Sequence, residues 1–383
     1  VLRAWAALGF VLEQNLKPRQ HLLDFTIHGG ESMVQTNNTQ ASRKLDALVR
    51  EFSIRAGGRK VFRGCPAEYS PAVQAVRDRV RTRPPKPAEL LQRKAHWHPE
   101  FTVEIADSLE AHNYKFGINI FSKLAEHTSQ GRPVVWITPV GPMGHYAVIA
   151  ELFNKVGGVN PKLIHPFAMD EWSTADGKSI AKKDYPYMTR FADDMDEQFY
   201  SLLKGSARVP KKNLNFAADK GLLDYEAKID ALLAKDAGVI FTGGVGKIGH
   251  IMFWESSYGV RLGKSLSEKV LWVRGAPLTY GTIDQNETTS SASAPVPVFA
   301  NTIGLGLFAK LQKYGKKNPG RSHAFFGLDN IEEPLKWQRF IAQCMLMMDK
   351  PDPSFGASYV PTMPGAYIIV RSHVHDSFFV ASK

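Results

Sequence analysis

The chain has 383 residues, 44% of them hydrophobic and 22% charged, and carries a formal net charge of +11. This is ordinary globular composition with enough apolar residues for a large core. Two distant cysteines, Cys65 and Cys344, exclude a disulfide framework and a cysteine metal cluster, and fit a reducing, cytoplasmic setting.

The first element is the apolar stretch "VLRAWAALGFVL". It is too short to span a bilayer and contains Arg3, so it reads as a buried helix rather than a remnant of a targeting segment. No transmembrane segment is expected elsewhere. From Arg43 to Lys94, fourteen Lys/Arg face five Asp/Glu, so +9 of the net charge sits in the N-terminal third. Only Phe52, Phe62 and Tyr69 fall among these cations, without the regular interleaving of a stacking surface, and no nucleic-acid motif accompanies them. A solvated face or an oligomer contact is therefore expected rather than nucleic-acid binding. "RTRPPKPAELLQRK" (81–94) reads as a linker whose prolines deny a helix until "PAELLQRK". A boundary near Lys94 divides an N-terminal extension, 1–95, from an α/β domain, 96–383.

After the linker, strands and helices alternate. "EIADSLEAHNYKFGINIFSKLAEH" has helical spacing, "RPVVWIT" is a strand, and "GHYAVIAELFNKVG" is a helix closed by Gly157 and Gly158. "PKLIHPFAM" is the next strand. "LLDYEAKIDALLAKDAG" is an amphipathic helix leading into the strand "GVIFTGG". "SEKVLWVRG" and "GAYIIVRSH" add two apolar runs, and "EPLKWQRFIAQCMLMM" is a late helix. "ETTSSASAPVPV" (287–298) is a polar loop. This order predicts a three-layer αβα fold around a mainly parallel, doubly wound sheet. His373 and His375 alternate near a strand end and read as exposed imidazoles rather than metal ligands.

Ligands of such sheets bind beyond the carboxyl ends of the strands. Three strand ends stand out: "ITPVGPMGHY", "FAMDEW" and "FTGGVGKIGHIMFWE". Asp170 follows an apolar strand, where partial desolvation raises a carboxyl toward a useful base; a helix cap is the competing reading. Gly244, Gly246 and Gly249 have the GxGxxG spacing of a dinucleotide turn. That turn opens directly into a helix, whereas "HIMFWESSYG" follows here. The glycines instead suit close approach of the backbone to a small ligand, with His250 and Glu255 as a proton-transfer pair.

From about His98 onward, the chain resembles the glucosamine-6-phosphate deaminase/isomerase family, whose fold is shared with 6-phosphogluconolactonases. The family's "MDEY" matches Met169-Asp170-Glu171-Trp172. Its "GGVGxDGHIAFNEP" matches the run from Gly243 to Glu255, and its "YExKI" matches Tyr225 to Ile229. "TVGVGTL" resembles Thr302 to Leu307, and "TGGTPMTTY" resembles Thr138 to Tyr146. The retained "HIxFxE" favours the deaminase branch over the lactonase branch. The resemblance implies chemistry free of metal and nucleotide cofactors, and a homo-oligomer. It implies that Asp170 moves a proton between C2 and C1 of an open-chain amino sugar. His250 would assist ring opening and Glu255 would orient it. Thr138, Gly141, Glu171, Gly243, Gly244, Gly246 and Lys247 are the expected substrate contacts.

Departures from the family are specific. Ile248 stands where the family keeps an acid two residues before the histidine, which leaves Glu255 as the expected partner of His250. Pro139 and Val140 replace glycine and hydroxyl content in the phosphate loop, and Asn330 stands in place of a phosphate-binding lysine. No counterpart of a second phosphate-binding arginine occurs near "LTYGTIDQN". The expected activity is therefore amino-sugar deamination and isomerisation, of glucosamine 6-phosphate or of a related, non-phosphorylated sugar. The alternatives are a non-catalytic sugar-binding or scaffold protein, or a sugar lactone hydrolase.

Overall fold

The computed structural model describes residues 33–56, 58–141, 143–181, 189–289, 295–328 and 337–371. The apolar N-terminal stretch, Asn330, His373, His375 and the centre of the polar 287–298 segment lie outside these residues.

The N-terminal part comprises β1 (Gln35–Thr36), α1 (Thr39–Glu51), the antiparallel hairpin β2 (Ser53–Ala56) and β3 (Arg59–Phe62), α2 (Pro71–Thr82) and α3 (Pro87–Leu91). The Asn38 side chain accepts from the amides of Gln40 and Ala41, and so starts α1. Ala41, Leu45, Leu48 and Val49 then recur at helical spacing and are buried. The prolines break the chain after α2, and α3 begins at Pro87, as expected.

The remainder runs β4 (Thr102–Ala106), α4 (Leu109–Ser129), β5 (Val134–Thr138), α5 (Gly144–Lys155), β6 (Ile164–Ala168), β7 (Asp170–Trp172), α6 (Phe191–Gln198) and α7 (Tyr225–Leu233). It continues with β8 (Gly238–Gly244), α8 (Ser256–Ser267), β9 (Trp272–Pro277), α9 (Tyr280–Thr289), β10 (Phe299–Ile303), α10 (Leu305–Lys317), β11 (Ser322–Leu328), α11 (Trp337–Met347) and β12 (Ala366–Arg371).

Six strands form one parallel sheet in the order β4-β12-β11-β8-β5-β6. Period-two alternation sends Val135, Ile137, Val239 and Phe241 to one face, and Val134, Trp136 and Ile240 to the other. Phe116, Ile120 and Leu124 of α4 and Tyr146 and Ile149 of α5 cover the second face. Ile229 of α7, Leu262 of α8, Phe308 of α10 and Ile341 of α11 belong to the first. Both faces are covered, which is why the strands read as unbroken apolar runs. The fold is the expected three-layer α/β architecture.

Three expectations differ from the structure, the first being that residues 287–289 of the expected polar loop close α9. "EIA" closes β4 instead of opening a helix; its backbone pairs with β12, and the helix waits for Ser108, whose hydroxyl accepts from the Ala111 amide at 3.0 Å. The run "SEKVLWVRG" supplies β9, but not to the parallel sheet. A second, antiparallel sheet has the order β1-β9-β10-β7. A short apolar run does not encode the direction of its partner. The N-terminal part is joined to this body: β1 pairs with β9, and Leu45, Leu48, Phe62, Val73 and Val80 share one continuous core with β5, β8 and β11. No described helix is long and apolar enough to cross a membrane.

Candidate functional site

The site forms where β6 gives way to β7. The Met169 amide still bonds the Thr138 carbonyl at 2.9 Å, continuing the parallel ladder, and the next residue turns onto β10. The Tyr225 hydroxyl pins this exit by donating toward the Ala168 carbonyl, 2.9 Å away, and toward the Asn215 carbonyl, 3.0 Å away. In the register of β7 with β10, Asp170 stands opposite Thr302. Asp170 Oδ1 accepts from the Thr302 hydroxyl and from the Phe253 amide at 3.0 Å. Oδ2 has no partner among the described residues, and the side chain is only partly buried. Burial pushes its acid up to about 7, against the two hydrogen bonds, which favour the carboxylate.

The glycine loop comes from the end of β8. The Gly249 amide bonds the Gly246 carbonyl at 2.8 Å, and the Gly246 amide bonds the His250 carbonyl at 2.9 Å. Gly249 takes φ +80°, and a Cβ there would come within 2.0 Å of the Phe355 ring. At Gly246 a Cβ would lie 1.9 Å from His250 Nε2, so only glycine leaves room for the imidazole. A tight non-helical turn, with Met252 at φ +59°, then carries the chain to Glu255, and α8 starts only at Ser256. The dinucleotide-turn geometry, glycines opening straight into a helix, is not what these residues form.

His250 is buried and its charged form is disfavoured, with a pKa lowered by burial to about 4. Glu255 is completely buried, and burial pushes its acid up to about 8, opposed by bonds from Thr282 and Thr279. The expected direct His250–Glu255 pair is not made. Thr282 stands between them: its hydroxyl is 3.0 Å from His250 Nδ1 and donates to Glu255 Oε2 at 3.1 Å. Thr279 donates to the same oxygen at 2.9 Å. Asp170 is near enough to Glu255 for their charges to interact.

The other expected contacts divide. Glu171 is buried, and backbone amides occupy both of its carboxylate oxygens. One carboxylate oxygen accepts from the amides of Trp172 at 2.9 Å and Phe191 at 3.0 Å; the other accepts from Ala192 at 3.0 Å. It thus caps the N-terminus of α6, and the cap weighed for Asp170 belongs to its neighbour. Thr138 is buried with its hydroxyl 3.3 Å from the Phe167 carbonyl. Gly141 is exposed. Gly243 lies under Phe326, where a Cβ would come within 2.7 Å, and Gly244 is half-buried. The Lys247 amide is held by Gln285 at 2.6 Å, and its ammonium pairs with Asp284. Val140, in the loop expected to bind phosphate, packs with Ile283 against a cluster containing Trp172, Phe191 and Phe253. The rings of Trp172 lie 5.0 Å from Phe191 and 5.3 Å from Phe253.

Thr279, Thr282 and Thr302 also belong to the candidate site, and no motif marks them. Thr279 and Thr282 stand in "LTYGTIDQN", where no phosphate-binding arginine occurs. The N-terminal part also reaches the site. The Tyr69 hydroxyl donates to the Ile248 carbonyl at 3.1 Å, and buried Cys65 lies alongside Thr279, its amide donating to the Leu278 carbonyl at 3.2 Å and its carbonyl accepting from the Tyr280 amide at 2.8 Å.

No protein-family model matches the chain, and no curated protein matches it in sequence. Solved structures do match. A monomeric glucosamine-6-phosphate deaminase is similar at 16% identity with a TM-score of 0.53, over 72% of this chain and 99% of that one. A 6-phosphogluconolactonase from Plasmodium vivax is similar at 16% identity with a TM-score of 0.50, over 74% of this chain and 96% of that one. This chain has their fold.

Proposed function

We propose that the chain is an amino-sugar deaminase/isomerase acting on an aldose without a 6-phosphate. The observation that carries this reading is Asp170: a partly exposed carboxylate with one oxygen fixed by two donors, one oxygen unpartnered, and an acid tuned to about 7. A base for a weakly acidic carbon needs that combination of position and pKa. Asp170 takes the proton from C2 of the open-chain sugar while the C1 oxygen takes one from water, which gives an enolamine. The proton returns to C1 and leaves a C2 imine. Water hydrolyses the imine to a ketose and ammonia. His250, neutral because it is buried, serves ring opening by exchanging a proton with the sugar.

The loop chemistry supports the absence of the phosphate. Phosphate recognition relies on arginine, lysine and free N–H groups. Pro139 lacks an N–H, Val140 is packed in an apolar cluster, and Lys247 is paired with Asp284.

Incubation with glucosamine and with glucosamine 6-phosphate, assaying ammonia and ketose, tests the proposal. Turnover of the unphosphorylated sugar is expected, with a loss of ~10²–10⁴-fold in Asp170→Asn. A strong preference for the phosphorylated sugar would overturn the substrate assignment. Equal inactivity of wild type and Asp170→Asn on every amino sugar would overturn the reaction, and sugar binding in calorimetry would then favour a non-catalytic role. Hydrolysis of 6-phosphogluconolactone would favour the lactonase reading.

A further inference from the structure

Ile248 removes the acid that would have held His250, yet the imidazole is not left unsupported. Three buried groups lie in a row: Glu255 Oε2, Thr282 Oγ1 and His250 Nδ1, at 3.1 Å and 3.0 Å. A hydroxyl has one hydrogen. When Glu255 is ionised, Thr282 donates to it and can only accept from the ring, so Nδ1 carries the imidazole proton and Nε2 has a lone pair. When Glu255 is protonated and donates to Thr282, the hydroxyl hydrogen turns to Nδ1, and Nε2 must carry the proton. Nε2 has no partner among the described residues, and lies over Gly246 where a side chain is missing.

We propose that Thr282 is a positioning residue that converts the protonation state of Glu255 into the choice of tautomer at His250, so that Nε2 alternates between proton acceptor and proton donor while the imidazole stays neutral. In the forward step a sugar hydroxyl gives its proton to Nε2. Nδ1 gives its proton to Thr282, and Thr282 gives its hydrogen to Glu255. Three bonds to hydrogen break and three form, and one proton has passed from sugar to Glu255. The reverse step returns a proton to the sugar. The use of this relay for ring opening rests on the proposed function; the relay itself does not.

The titration positions agree. Burial holds Glu255 up to about 8, within reach of a proton near neutrality, and holds His250 down to about 4, so a charged imidazolium is avoided. Other titratable groups facing Glu255 are Asp170, Cys65, Tyr69 and Tyr258. Burial pushes the Cys65 thiol up to about 12 and raises both phenols, so Asp170 is the one of the four that changes charge in the same range as Glu255.

The test is 15N NMR of the His250 ring in the full chain between pH 5 and 9, with wild type, Thr282→Ser and Thr282→Val. In wild type and Thr282→Ser, the proton is expected on Nε2 at low pH and on Nδ1 once Glu255 ionises. In Thr282→Val the tautomer ratio is expected to lose its pH dependence, and kcat on the sugar to fall ~10–100-fold with KM little changed. A single tautomer throughout in wild type, or an unaltered pH dependence in Thr282→Val, would overturn the relay. Circular dichroism checks the fold of Thr282→Val; should that variant not fold, the wild-type and Thr282→Ser titrations decide the matter. A tautomer change without any turnover would leave the relay standing and defeat the proposed reaction instead.

Discussion

Asp170 is held between two opposing effects, and the balance predicts a pH response. Burial disfavours its carboxylate, while the Thr302 hydroxyl and the Phe253 amide favour it. Thr302→Val removes a donor to the charged form, so the acid must rise further above its ordinary value of 3.8. The base then becomes available only at higher pH. The acidic limb of the pH–rate profile is expected to move upward, and an unmoved limb would show that another group titrates there. Asp170, His250 and Glu255, the residues proposed for catalysis, stand out in the sequence because each sits in a motif. Thr302 and Thr282 were not, because threonine is common in strands and helix starts, and these two stand 132 and 32 residues from the groups they bond.

At the scale of elements, the carboxyl ends of β6 and β8 carry the candidate site, and neighbouring elements hold them in place. Glu171 ties β7 to α6 through three backbone amides, and α6 sets Phe191 against Trp172. Glu171→Ala leaves those amides without a buried acceptor. A loss of about 1–3 kcal/mol in denaturant unfolding is expected. A change below ~0.5 kcal/mol would show that the cap is dispensable and would return Glu171 to the list of substrate contacts. Sequence placed Asp170 and Glu171 side by side with no way of telling base from cap. Their alternation on a strand sends neighbouring side chains to opposite faces, which gives Glu171 the cap and leaves Asp170 for the proposed role of base.

Across the whole molecule, the N-terminal part carries most of the positive charge and also completes the core. Leu45, Leu48, Val49 and Phe62 are each nearly or fully buried, at roughly 1.5–3 kcal/mol apiece. A chain starting at residue 95 exposes their partners on β9, β10 and α8, and loses the Tyr69 bond to the Ile248 carbonyl. It is expected to melt at least ~10 °C lower than the full chain, or to aggregate, by differential scanning calorimetry. An unchanged melting temperature would show that residues 1–95 fold apart. The parallel sheet, its covering helices and the three strand-end loops followed from local pattern, since burial on both faces writes itself into period and composition. The antiparallel second sheet, the threonine bridge and the contribution of Cys65 and Tyr69 to the site did not. Each depends on which distant segments meet, and a hydroxyl or a two-residue strand carries no mark of its partner until the core has brought the two together.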